Sequence, residues 1–312
     1  MTDKIPLLID TDPGVDDALA LLLAFNAPDH EVVGLTVAAG NVGLGHTVAN
    51  ALKLCEVAGR ADVPVFAGCA APLLHCAPDA AYVHGEDGFG DVGYEAAHRA
   101  EEAEHAALAI LRLSQLHAGQ LLLVALGPLS NLALALRLDP TLPARVARLV
   151  VMGGAVTGQG NITPAAEFNV YFDPEAAHIV LGAFARYDLC DWEAVLAHGL
   201  HHSAVEGWLR AESPRAAFYE RISRRTRHWS ADRRGDHWHS ADGLAMAYAL
   251  TPGGAIETAR RPLEVVLGQG PDRGETRVDW GRTSGMPDAA RILQRYDQAR
   301  FEAMLAAALA AA

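Results

Sequence analysis

The strongest constraint on the fold is a regular alternation between short apolar runs and stretches of helical pattern. Five apolar runs are predicted as strands, at residues 5–9, 31–39, 63–67, 121–126 and 146–152. Helical stretches are predicted at residues 16–25, 42–58, 101–117, 129–138 and 301–312. Continuous apolar strands that alternate with helices are typical of a mainly parallel sheet covered on both faces. The sequence therefore predicts an open α/β fold with helices on both faces of the sheet.

Two excursions interrupt this alternation. Residues 69–100 are rich in Gly, Pro and His, and residues 213–239 are rich in Arg, His and Trp. Long excursions in α/β folds often form lids or binding loops. We therefore expect one domain over residues 1–312, with both excursions as pocket loops or a lid. The basic run at residues 221–234 is expected to be a solvated face.

Composition excludes several classes of function. The chain has 25 Lys and Arg against 38 Asp and Glu, and its formal net charge is −13. A nucleic-acid-binding protein would need a basic footprint, so no nucleic-acid polymer is expected as a partner. No apolar run is long enough to span a membrane, and the first residues lack the pattern of a signal peptide. We expect a cytoplasmic protein with a small-molecule substrate and no membrane partner.

The string DTDPGVDD at residues 10–17 is the most informative motif. Asp10 and Asp12 lie two apart at the end of the first strand, so their side chains share a face. Asp16 and Asp17 open the next helix, whose N-terminus favours negative charge. A helix cap alone would need one acid, and four neighbouring carboxylates repel one another unless a cation or shared protons compensate. A hard divalent cation with oxygen ligands, Ca²⁺ or Mg²⁺, is the natural partner.

This string resembles the N-terminal signature of the nucleoside hydrolases, the inosine-uridine-preferring family. Further matching blocks follow in the family's order: AGNV at 39–42, HGEDG at 84–88, GPLSN at 127–131, MGG at 152–154, NITPAAEFN at 161–169, DPEA at 173–176 and SAD at 240–242. The resemblance implies a Rossmann-like nucleoside hydrolase fold. It also implies Ca²⁺-dependent hydrolysis of the N-glycosidic bond of ribonucleosides to ribose and free base, by a homodimer or homotetramer.

The resemblance further implies roles for individual residues. Asp12, Asp17 and Asp242 are expected to bind Ca²⁺ with the backbone carbonyl of Leu126, and Asp10 is expected to orient this site. Asp12 is also expected to be the general base that activates a metal-bound water. The expected ribose-binding set is Asp16, Asn41, Asn161, Glu167 and Asn169.

The base side of the expected pocket departs from the family pattern. Many relatives carry a His directly before the C-terminal metal-binding Asp, where this chain has Ala241. Aromatic stacking is another way to activate a purine base, and Trp229 is one candidate for it. The remaining base-side candidates are His84, Phe168, Trp238, His239 and His237. We hypothesise that Trp238, His239 or His237 activates the leaving base, and the preferred base stays open.

Two alternative functions remain open. A metal-dependent phosphohydrolase also uses an Asp-x-Asp motif, but it needs cations to clamp phosphate. The only lysines, Lys4 and Lys53, lie in no site-like motif. A nucleoside- or ribose-binding protein that has lost turnover would account for Ala241, although it would not need both Asp12 and Asp17.

Overall fold

The computed structural model describes residues 4–312. Its strands are β1 (Ile5–Thr11), β2 (His30–Val37), β3 (Val65–Ala67), β4 (Leu121–Ala125), β5 (Val146–Met152), β6 (Tyr187–Cys190), β7 (Leu200–His201), β8 (His237–Trp238), β9 (Ala255–Arg261), β10 (Leu263–Val265), β11 (Thr276–Val278) and β12 (Ala290–Tyr296). Eight of them form one sheet in the order β3-β2-β1-β4-β5-β6-β12-β9. All neighbouring pairs in this sheet are parallel except β12 with the edge strand β9. The predicted open, mainly parallel sheet is confirmed.

Helices cover both faces of this sheet. They are α1 (Val15–Phe25), α2 (Leu44–Val57), α3 (Ala81–His84), α4 (Ala106–Leu116), α5 (Ser130–Leu138), α6 (Phe168–Phe172), α7 (Pro174–Ala183), α8 (Trp192–Ala197), α9 (His202–Trp208), α10 (Pro214–Arg234), α11 (Ala241–Leu250) and α12 (Gln298–Ala310). One apolar cluster contains buried residues of α1, α2, α11 and α12, and a second contains those of α4, α5 and α7. None of the helices in residues 4–312 is long and apolar enough to cross a membrane.

Strand β1 shows why the apolar runs predict this fold. Leu7 and Ile9 point into the first apolar cluster, whereas Leu8 points into the second. Successive side chains of a strand face opposite sides, so a strand buried on both faces must be apolar at every position. The predicted bounds need small corrections: β2 ends at Val37, β3 begins at Val65, and the helix predicted from residue 101 begins at Ala106.

The two excursions pack against each other at one end of the sheet. The second contains the long helix α10, which spans most of residues 213–239. The Thr226 hydroxyl of α10 donates to the carbonyl of Val83 in α3 at 3.0 Å. The backbone of Gly90 approaches that of Ile222 so closely that an added Cβ would lie 2.7 Å from the Ile222 carbonyl oxygen. Together the excursions form one wall beside the carboxyl ends of the parallel strands.

Candidate active site

The carboxyl edge of the sheet gathers acidic side chains from three elements. Asp12 follows β1, Asp16 and Asp17 lie in the first turn of α1, and Asp242 lies in the first turn of α11. One carboxylate oxygen from each of Asp16, Asp17 and Asp242 lies within 4.8 Å of the others. The structure therefore brings the predicted metal ligands Asp17 and Asp242 together and adds Asp16, which the sequence assigned to ribose alone.

The carboxylate of Asp12 is held between two backbone segments. The backbone N–H of Asn41 donates to its Oδ2 at 2.7 Å. A Cβ on Gly40 would lie 2.1 Å from Oδ2, and a Cβ on Gly127 would lie 2.2 Å from Oδ1. Only glycine allows the backbone to approach this closely on both sides. The glycines of the AGNV and GPLSN blocks thus form a narrow slot around Asp12.

Hydrogen bonds also fix Asp17 and Asp10. Asp17 accepts from the Thr11 hydroxyl, from the backbone N–H of Gly14 at 3.0 Å and from the Asn41 side-chain amide at 3.0 Å. Asp10 Oδ1 accepts from Thr36 at 2.6 Å and from Asn131 at 2.9 Å. The other oxygen of Asp10 is buried and has no hydrogen-bond partner in residues 4–312.

Burial raises the pKa of every acid in this corner, and repulsion by neighbouring carboxylates raises it further for Asp12, Asp17 and Asp242. Burial and the neighbouring carboxylates hold the pKa values of Asp12 and Asp242 well above the usual range. Burial raises the pKa of Asp16 and of Asp17 to about 6, and that of Asp10 to about 7. Buried carboxylates that lack compensating positive charge are stabilised by a divalent cation. The donor set is entirely oxygen, so the residues present fit a hard cation such as Ca²⁺.

A cleft of about 830 Å³, open to solvent, lies over these acids. Twelve of the predicted site residues line it: Asp16, Asn41, His84, Leu126, Asn161, Glu167, Phe168, Asn169, Trp229, Trp238, His239 and Asp242. Asp10, Asp12 and Asp17 are almost fully buried and are not among its lining residues. The sequence blocks therefore converge on one site, as expected of the carboxyl edge of an open α/β sheet.

Hydrogen bonds with backbone groups hold the predicted ribose-binding residues in place. Glu167 caps α6 and accepts from the backbone N–H groups of Gly154 at 2.9 Å and Asn169 at 3.0 Å, while burial raises its pKa to about 7. The Asn169 amide donates to the Leu126 carbonyl at 2.6 Å. Asn161 accepts from the backbone N–H of Phe168 at 2.8 Å. These contacts hold polar side chains at the cleft.

Two histidines, His84 and His239, line the side of the cleft formed by the excursions, and both are neutral near pH 7. The Nδ1 of His84 accepts from the backbone N–H of Val15 at 3.1 Å, and burial lowers the pKa of His84 to about 4. Burial and the charge of Arg234 lower the pKa of His239 to about 4. Trp238 is only 2% exposed and packs against Tyr219, with ring centroids 6.1 Å apart. Trp238 is therefore a core residue that reaches the cleft rather than a free stacking surface.

Comparison with known proteins agrees with this geometry. The model of the inosine-uridine preferring nucleoside hydrolase family matches residues 7–303. The chain belongs to this family. It is 34% identical over 279 residues to the inosine-uridine preferring nucleoside hydrolase of Leishmania major, which covers 88% of this chain and 87% of the relative. A solved plant nucleoside hydrolase superposes with a TM-score of 0.92 at 30% identity, covering 98% of this chain and 99% of that chain.

A second curated relative matches over a shorter region. The uridine nucleosidase 1 of Arabidopsis thaliana is 45% identical over 175 residues, which are 56% of this chain and 52% of the relative. Over this match the chain spans about half the length of that relative.

The sequence predicted the two excursions as pocket loops but missed individual residues of the wall that they form. The run at 221–234 was expected to be a solvated face, but Arg234, at its end, lines the cleft. That expectation is wrong for Arg234 because α10 ends beside the cleft. Tyr82 and Trp192 also line this wall without having been predicted. For Trp192 a signal exists, since it begins a helix directly after the buried strand β6.

Proposed function

We propose that this chain is a metal-dependent ribonucleoside hydrolase that cleaves the N-glycosidic bond to give ribose and a free base. One observation carries the proposal: the carboxylates of Asp16, Asp17 and Asp242 converge within 4.8 Å at the floor of the cleft. A cleft lined by two of these acids and by polar side chains such as Glu167 and Asn169 suits a small polar molecule such as a nucleoside. Family membership and relatives named as nucleoside hydrolases support the same activity.

In this proposal Ca²⁺ is held by Asp12, Asp17, Asp242 and the carbonyl of Leu126. Asp16 lies close enough to Asp17 and Asp242 to add a further oxygen. The bound cation would supply Lewis acidity for a water and for the ribose hydroxyls. The cation would offset the repulsion that raises the pKa values of Asp12 and Asp242, because each carboxylate is buried beside others of like charge.

Asp12 takes the proton of the attacking water. Its carboxylate is fixed by the Asn41 N–H and by the slot between Gly40 and Gly127, so little reorganisation is needed during the reaction. Water that attacks C1′ from the face opposite the base inverts the configuration through an oxocarbenium-like state.

Glu167, Asn169, Asp16 and Asn161 bind the ribose hydroxyls in this proposal. Asn41 acts partly through the acids, because its side-chain amide donates to the Asp12 carbonyl and to Asp17. Buried polar groups that lose their partner when a hydroxyl is missing make such a site selective for the complete sugar.

The test is a substrate panel in Ca²⁺ with uridine, inosine, cytidine, adenosine and a phosphate monoester. We expect free base and ribose in equal amounts from at least one nucleoside and no phosphate release. Phosphate release from the monoester would favour a phosphohydrolase instead. Nucleoside binding without any product would identify a binding protein that lacks turnover.

A further inference from the structure

The wall of the cleft that contains Trp192, Trp229 and Arg234 is called the base-side wall here. It holds the guanidinium group of Arg234 against the indole rings of Trp192 and Trp229. The Cζ of Arg234 lies 4.6 Å from the ring centroid of Trp192 and 5.4 Å from that of Trp229. All three residues line the cleft. A guanidinium stacks on aromatic faces while its N–H groups, which lie in the guanidinium plane, stay available for hydrogen bonds. The two rings therefore hold the guanidinium in place and leave its N–H groups free to donate hydrogen bonds.

The donors of Arg234 have no acceptor among residues 4–312. Burial lowers the pKa of Arg234, and no hydrogen bond to the guanidinium contributes to the shift. Other arginines of the second excursion are paired, such as Arg224 with Glu220 and Arg225 with Asp91. A half-buried guanidinium that lines a cleft and has no acceptor in the described residues can donate its hydrogen bonds to a ligand.

Position 241 and the tryptophans of this wall cannot supply a proton. His84 accepts at Nδ1 from the backbone, and position 241 is an alanine. Trp192, Trp229 and Trp238 have only an indole N–H, which is not acidic. Arg234 is the one cation among the residues that line the described cleft. A guanidinium is not deprotonated in proteins, so it stabilises charge and does not act as an acid.

We propose that Arg234 is the catalytic residue of the base side, which donates hydrogen bonds to a carbonyl oxygen of the base and stabilises the base as it leaves as an anion. This role rests on the proposed ribonucleoside hydrolysis. It names a substrate class: ribosides whose base has a carbonyl oxygen conjugated with the glycosidic nitrogen, as uracil has.

The step balances without a proton donor on this wall. The C1′–N bond breaks, and its electron pair passes to the base nitrogen and onto the conjugated carbonyl oxygen, where Arg234 donates. The water oxygen forms the new bond to C1′, and its proton goes to Asp12. The base anion takes up a proton from solvent after release, so the products are ribose and the neutral base.

The test compares uridine with 4-nitrophenyl β-D-ribofuranoside, whose nitrophenolate leaves without assistance. For Arg234→Gln we expect kcat for uridine to fall about 100-fold, as for loss of an oxyanion donor, and kcat for the nitrophenyl riboside to fall less than about threefold. Activity on the nitrophenyl riboside also shows that the variant is folded. The matched control is Arg233→Gln: Arg233 is exposed, stacks on the same Trp229 at 4.8 Å, and does not line the cleft. We expect it to hydrolyse both substrates like the wild type.

Equal losses on the two substrates, or no loss on uridine, would overturn the role of Arg234. An equal uridine defect in Arg233→Gln would also overturn it, since general loss of positive charge would then explain the effect. A wild type that hydrolyses neither substrate in Ca²⁺ would instead contradict the proposed function itself.

Discussion

The proposed function divides the cleft into a sugar half, with Asp12 and Asn41, and a base half, with Trp229 and Arg234. The two halves are built in different ways. In the sugar half, Asp12 and Asn41 follow strand ends, and their polar groups are fixed by hydrogen bonds to backbone. In the base half, Trp229 and Arg234 come from the end of α10, and aromatic packing rather than hydrogen bonding holds them. The first half is thus positioned by the sheet, and the second by two excursions that pack on each other.

This difference assigns different parts of the function to the two halves. Residues at the carboxyl ends of parallel strands share the rigidity of the sheet, so the sugar half suits chemistry that needs exact positions. Loops and excursions tolerate change, so the base half suits selection among leaving groups. We therefore expect large effects from changes in the sugar half and smaller, substrate-dependent effects from changes in the base half.

The largest expected effect tests the sugar half through the substrate. We expect kcat/KM for 2′-deoxyuridine to be about 10⁴-fold below that for uridine, because a missing hydroxyl leaves without a partner a polar atom such as Asp16 Oδ1, which has no hydrogen-bond partner within residues 4–312. Steady-state kinetics on both nucleosides measure the ratio. Because the two substrates differ only in the 2′-hydroxyl, a kcat/KM ratio below about tenfold would contradict the assignment of a site that binds the ribose hydroxyls.

The next effect concerns the proposed base. Asp12→Ala should lower kcat by about 10³- to 10⁴-fold on uridine and on 4-nitrophenyl riboside alike, because the same water must be positioned and deprotonated whichever leaving group departs. The control is Asp232→Asn, an exposed acid of α10 that does not line the cleft. A variant that keeps a tenth of wild-type kcat would disprove the role of Asp12.

A smaller effect tests the slot around Asp12. In Gly127→Ala the new Cβ would lie 2.2 Å from Asp12 Oδ1, so the carboxylate must move. We expect kcat to fall about 10²-fold through this displacement and the free energy of unfolding to fall by about 1–3 kcal/mol. Gly45→Ala is the control because nothing lies within 4 Å of its Cβ position. Wild-type kcat in Gly127→Ala would contradict the need for a fixed Asp12.

The smallest effect belongs to the base half. Trp229→Leu removes one ring beside Arg234 and the edge contact with Tyr82 at 6.2 Å, whereas Trp192 still holds the guanidinium. We expect KM for uridine to rise about tenfold and kcat to change less than about threefold, in line with the loss of one aromatic contact. Trp280→Leu, outside the cleft, should change neither constant. A larger loss of kcat than in Asp12→Ala would reverse the comparison between the halves.

The sequence predicts the sugar half better than the base half for physical reasons. β1 is apolar from Pro6 to Ile9, and the DTDPGVDD string places its acids by local geometry at the end of this strand. Strands β6 and β12 escaped prediction because Asp188 is buried between Arg148 and Arg291, which interrupts both apolar runs. The place of Arg234 depends on where a long helix ends against distant elements, and no local pattern encodes that.

Metal dependence of uracil release tests the central claim most directly. Uracil and ribose formed from uridine are measured in one preparation of the full chain after a chelator has removed metal and again after Ca²⁺ has been restored. The account predicts that release stops in the chelator and returns with Ca²⁺, with uracil and ribose in equal amounts. Undiminished release in the chelator, or no release after Ca²⁺ is restored, would contradict it.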